Sequence, residues 1–130
     1  MIHIPFALVL AMSSVPAQSP PPCPDSKSCR QLALEAAERK DYDAFHDLAW
    51  RAMSTGPKND PAMMILLARA QSLSGRPHDA LVMLQRLVDM KADIAEAATS
   101  EDFANVRALP GWADIEARLA GAPLPAPTVN

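Results

Sequence analysis

Residues 60–89 read DPAMMILLARAQSLSGRPHDALVMLQRLVD, and this stretch decides the fold. Asp60-Pro61 predicts a helix start, because aspartate caps the first free N–H groups and proline is tolerated in the first turn. Gly75 predicts the end of that helix, and Pro77 predicts the start of the next one. The stretch therefore indicates two helices joined by a tight turn.

The hydrophobic pattern of the two helices differs. Residues 62–68, AMMILLA, are apolar on every side, so we expect neighbours to cover this helix on more than one face. The second helix has one apolar stripe with the period of a helix. That stripe consists of Ala80, Leu81, Leu84, Leu87 and Val88. The two helices are predicted to pack as an antiparallel hairpin.

The same start and stop signals extend outward in both directions and predict an all-α domain over residues 26–121. The chain has 130 residues, 49% of them hydrophobic and 5% aromatic, which suits one domain of close-packed helices. Proline-rich segments flank the domain as a linker at 18–25 and a tail at 122–130. Helices are predicted near 28–39, 42–54, 61–74, 77–91, 101–108 and 111–120.

Another hairpin, nearer the N-terminus, is predicted from a similar spacing of residues. Ala68 is followed twelve residues later by Ala80, and Ala33 is followed twelve residues later by Phe45. The two frames agree with an internal period of about 34 residues plus a one-residue insertion. A repeated helical hairpin is the architecture that this period indicates.

These residues resemble the tetratricopeptide repeat. Its small residue on the first helix matches Ala33 and Ala68, its small residue on the second helix matches Ala80, and its closing proline matches Pro57. The resemblance covers residues 26–94 and is degenerate. Phe45 departs from the repeat because it stands at a position that the family fills with a small residue. Pro77 stands where the family prefers an aromatic residue, which Tyr42 supplies in the N-terminal hairpin only. Ala92 replaces the closing proline of the second hairpin.

The resemblance implies a protein-binding module without catalytic activity or cofactor. A concave face lined by the first helix of each hairpin would receive a peptide or a helix from a protein partner. The candidate residues of that face are Arg30, Leu34, Ala37, Met64 and Gln71.

The segment after the hairpins resembles the short helical cap that ends some bacterial repeat segments, with Phe103 and Trp112 directed inward. It is also similar to the helical segment that precedes a gluconolactonase-like propeller in some exported bacterial proteins. That similarity implies an alternative function, an accessory segment or subunit of an exported enzyme.

An N-terminal signal pattern and a pair of cysteines both indicate export. Residues 1–17 are predicted to be a secretory signal, although the start carries His3 and no Lys or Arg. Cys23 and Cys29 are six residues apart with turn formers between them, which favours a disulfide in an oxidising compartment. The spacing does not match that of thioredoxin-type or zinc motifs. We expect a periplasmic or secreted protein with no stable membrane insertion after signal removal.

Charge and side-chain chemistry leave two minor alternatives. The 12 basic and 15 acidic residues give a net charge of -3 with scattered cations, which argues against nucleic-acid binding. Asp43, His46 and Asp47 share one predicted helix face and could serve as a metal site or general base in a small metal-dependent enzyme. The methionines could form an adaptable partner groove or a copper site, although core filling is favoured. They include Met53, Met63, Met64, Met83 and Met90.

Overall fold

A computed structural model describes residues 23–121, and the regular structure within this range is entirely helical. The all-α prediction is confirmed, while the predicted signal at 1–17 and tail at 122–130 lie outside the described residues. The helices are α1 (Ser26–Glu38), α2 (Tyr42–Thr55), α3 (Pro61–Leu73), α4 (Pro77–Asp89), α5 (Ala95–Thr99), a 3-10 turn (Glu101–Phe103), α6 (Ala104–Arg107) and α7 (Trp112–Leu119).

Aspartates begin the first three helices. The carboxylates of Asp25, Asp41 and Asp60 each accept a hydrogen bond from a first-turn N–H, at 2.7, 3.2 and 3.0 Å. These bonds satisfy N–H groups that have no partner inside the helix. The hydrogen bonds that Asp25 accepts from Ser28 also hold the pKa of its carboxyl below the ordinary value.

α1, α3 and α4 each end with a residue in the left-handed conformation, followed by the same backbone hydrogen bond. These residues are Lys40, Gly75 and Lys91, with φ of 59°, 81° and 60°. In each case the next residue donates its N–H back across the turn, at 2.8–3.0 Å. Glycine adopts this conformation without strain, whereas a lysine Cβ crowds the neighbouring carbonyl. The sequence therefore indicated the stop at Gly75, and only the structure shows that the two lysines stop helices in the same geometry.

The core is built from helices that pack with their neighbours in the chain. α1 packs on α2, α2 on α3, and α3 on α4. The alanines predicted at the hairpin crossings, Ala33, Ala68 and Ala80, have no exposed surface, and neither does Phe45. Small side chains at a crossing let two helix axes approach closely. These packed helix pairs are consistent with a helical-repeat fold.

The spacing of the helices extends the repeat beyond the two predicted hairpins. α3 begins 35 residues after α1, since their first residues are Pro61 and Ser26. The second helices begin at Tyr42 and Pro77, and α7 begins at Trp112, which keeps the same step. α5, the 3-10 turn, α6 and α7 therefore occupy the place of a third helix pair in the 35-residue step, and α7 packs on α4.

The first helix of this third pair is broken. α5 was not anticipated from the sequence, and it is separated from the following turn by Ser100, whose φ of -75° and ψ of 138° are extended. The Arg107 guanidinium donates to the carbonyls of Ala97 and Ser100, at 2.9 and 2.7 Å, and holds the two parts together. The break replaces one straight helix by α5, the 3-10 turn and α6.

The third pair covers α3 and α4. The 3-10 turn and α6 pack against α3, and α6 and α7 pack against α4. Phe103 and Trp112 are buried, as predicted for a cap, and the Ser72 hydroxyl donates to the Asp102 carbonyl at 2.5 Å. α3 therefore contacts α2, α4, the 3-10 turn and α6, as expected for a helix that is covered on more than one face.

Ala80→Leu is expected to lower the free energy of unfolding by about 1–3 kcal/mol, because three added heavy atoms have no space at the α3–α4 crossing. Urea denaturation measures the change. Ala113→Leu is the matched control, since Ala113 is exposed on α7 and should change the stability little. Equal stability of Ala80→Leu and the unchanged protein would contradict the hairpin register.

Lys40→Gly and Lys91→Gly are each expected to raise the free energy of unfolding by about 0.5–1 kcal/mol, because glycine removes the left-handed strain at a modest entropic cost. Gly75→Ala should have the opposite sign, although a Cβ there meets no atom within 4 Å. Chemical denaturation of the three variants checks this, and a stabilising Gly75→Ala would argue against the shared helix ending.

Candidate functional site

The face predicted on the first helices is only partly on the surface. On α1, Arg30 is exposed and both Leu34 and Ala37 are partly exposed. On α3, Met64 and Gln71 are buried, with 3% and 8% of their surface exposed. The α1 part of the predicted face is thus accessible, and the two α3 side chains lie in the core.

The 35-residue step explains the difference. Thirty-five residues before Met64 and Gln71 are Cys29 and Ala36, which have no exposed surface. The positions on α3 that correspond to Arg30 and Leu34 are instead Ile65 and Arg69, which are both partly exposed. These two residues were missed in the sequence, although the repeat offset itself would have identified them.

Arg69 ties α3 to the third helix pair. Its guanidinium donates to the Glu96 carboxylate on α5, and its Nε lies 3.6 Å from Oδ2 of Asp102. Nearby, Oε1 of Gln71 is buried without a hydrogen-bond partner among residues 23–121. The C-terminal half of α3 is therefore occupied by these contacts, which leaves the accessible face at its N-terminal half and along α1.

Asp43, His46 and Asp47, the candidate metal or general-base residues of α2, differ in their exposure. The His46 side chain is 13% exposed, and its Nδ1 lies 3.6 Å from Oδ1 of Asp47. Asp43 and Asp47 are exposed. Within the described range, 23–121, no group of three or more His, Cys, Asp or Glu side chains is arranged to hold a metal ion.

The two cysteines lie together at the start of α1. Their sulfur atoms are at disulfide distance and their Cα atoms are 5.1 Å apart. Cys29 is buried in a small cluster with Ala52 of α2 and Met63 of α3, and the Ser26 hydroxyl donates to the Ala52 carbonyl at 2.6 Å. The pair therefore fastens the chain entering α1 onto the core.

Two surface hollows are each lined by residues of several helices. One, of about 210 Å³, lies between the end of α2, the loop after it, α3 and α4. Its lining residues are Met53, Ser54, Gly56, Lys58, Asn59, Met64, Met83 and Arg86. The other, of about 530 Å³, is shallower and borders α7, with the partly apolar lining of Ala98, Arg107, Trp112, Glu116, Leu119 and Ala120.

Comparison with known proteins gives no relative: no family model, no curated protein and no solved structure matches this chain. In the part of the chain that the structure describes, no helix has both the length and the apolar character needed to cross a membrane. The geometry of the described residues is thus the basis of the functional argument.

Reduction of the cysteine pair is expected to lower the free energy of unfolding by roughly 2 kcal/mol, because opening this short loop frees the unfolded chain. Denaturation with and without reductant measures the difference. Cys23→Ser is the control, since reductant should leave its stability unchanged. Unchanged stability of the natural sequence in reductant would show that the pair is not bonded.

Proposed function

We propose that this chain is an exported helical-repeat module of tetratricopeptide type, which binds a peptide or helix of a protein partner along the first helices of its repeats. The observation that carries the proposal is a stripe of accessible residues on α1, together with the residue of α3 that the 35-residue step makes equivalent to Arg30. It consists of Arg30, Leu34, Ala37 and Ile65, all on the surface side of the buried positions.

Helix geometry supports this stripe as a binding surface. Arg30, Leu34 and Ala37 are spaced by four and three residues, so they follow one another along one side of α1. Leu34 and Ala37 also contact the core, which fixes their positions. A half-buried apolar row with a cation at one end is the kind of surface on which an amphipathic segment packs.

The export part of the proposal is supported by the cysteine geometry. Two cysteines at disulfide distance fit an oxidising compartment such as the periplasm or the extracellular space. The proposed signal at residues 1–17 is tested by sequencing the N-terminus of the protein recovered from the envelope and the medium. Loss of the first residues supports export, and an intact Met1 on the whole pool contradicts it.

The double variant Leu34→Asp/Ile65→Asp is expected to retain at least tenfold less of the partner protein from an envelope fraction than the unchanged chain does. The reason is that carboxylates would replace the apolar contacts of the stripe. Quantitative mass spectrometry of proteins retained by the tagged chain measures the loss. Helical circular dichroism confirms that the variant remains folded.

Val82→Asp is the matched control, because Val82 is exposed on α4 and lies outside the stripe. It should retain the same partners as the unchanged chain. Equal capture by all three proteins would contradict the proposed face. Capture of an exported enzyme through the stripe would support the accessory-subunit form of the function.

A further inference from the structure

Three methionines from three different helices meet in one hollow. Met53 is near the end of α2, Met64 is on the first turn of α3, and Met83 is on α4. We name the 210 Å³ hollow that they line the methionine groove. A second hollow of about 270 Å³ shares Asn59 and Arg86 with it and extends toward Met90.

The interior of the methionine groove is apolar and adaptable. Met64 and Met83 are almost fully buried and Met53 is partly buried, so their side chains form the inner wall. Unbranched thioether side chains can adjust to the shape of an apolar ligand and are polarizable. The inner wall therefore suits an alkyl chain.

Two cations line the methionine groove without a carboxylate partner. Lys58 and Arg86 are exposed, and neither forms an ion pair within residues 23–121. The two nearest carboxylates along the chain have other partners. Asp60 accepts the N–H of Ala62, and Asp89 pairs with Arg118 at 2.6 Å.

The charged residues that line the methionine groove, Lys58 and Arg86, are both cations, although the whole chain has a net charge of -3. A guanidinium and an ammonium at the mouth of an apolar hollow favour an anionic group there. The same two cations oppose a metal cation among the thioether sulfurs, although such sulfurs are soft ligands. Charge therefore decides between the two ligand classes.

We infer that the methionine groove binds an anionic amphiphile of the medium-chain fatty-acid class. The alkyl chain lies against Met53, Met64 and Met83, and the carboxylate is held by Arg86 and Lys58. This site is separate from the α1 stripe proposed for the protein partner, and neither Leu34 nor Ile65 lines it. Each of the two inferences can fail while the other stands.

Calorimetric titration of the full chain with decanoate, kept below its micelle concentration, tests the inference. Decanoate is expected to bind with one-to-one stoichiometry. Lys58→Gln/Arg86→Gln should weaken decanoate binding about tenfold or more, because charge-assisted hydrogen bonds are lost. The neutral alcohol decanol should bind both proteins equally.

The matched control is Lys27→Gln/Arg39→Gln. It replaces two exposed cations outside the methionine groove, one within α1 and one at the residue that follows its last turn. This variant has the same net charge as the groove variant and should bind decanoate like the unchanged chain. A similar loss in the control would show that decanoate responds to net charge, and it would overturn the site.

Chain length gives a second measurement that an ion-binding surface would not reproduce. Affinity should rise about fourfold for each added methylene from hexanoate upward, until the methionine groove is filled. Affinity that does not depend on chain length, no binding of decanoate, or unchanged binding by Lys58→Gln/Arg86→Gln would each overturn the inference.

Discussion

The close approach of helices at buried alanines is the constraint on which the rest of the structure depends. Ala33, Ala68 and Ala80 have no exposed surface, and each stands where two helices cross. A methyl group at a crossing allows contact between the helix backbones on either side, and a larger side chain would separate them. Because the helices recur every 35 residues, α3 packs on α4 in the same way that α1 packs on α2.

The third helix pair departs from this pattern in its first helix. Phe103 stands 35 residues after Ala68, so a large ring occupies the position of the buried alanine. At this place the first helix of the pair is broken at Ser100 and continues as the 3-10 turn and α6. The third helix pair is held by Arg69 and Ser72 of α3. It covers α3 and α4, as a terminal repeat must cover the last exposed surface of the core.

The same step separates core positions from surface positions, and this separation organises both proposed sites. On α1 and α3, the buried row includes Ala33 and Ala68, and the neighbouring row includes Arg30 and Ile65. The proposed protein-binding stripe follows that neighbouring row. The methionine groove forms elsewhere, where the end of α2 and the loop after it bring Met53 to the same hollow as Met64 and Met83.

The sequence by itself determined the first four helices and their arrangement as two hairpins, because capping aspartates, prolines, Gly75 and the apolar period act within a few residues of the positions they mark. It also indicated the cysteine pair, whose loop is short. Only the tertiary structure decided that Lys40 and Lys91 end helices, that residues 95–119 form a third pair, and that Gln71 is buried while Ile65 is accessible. Those properties depend on contacts between residues far apart in the chain, and a local pattern does not specify them.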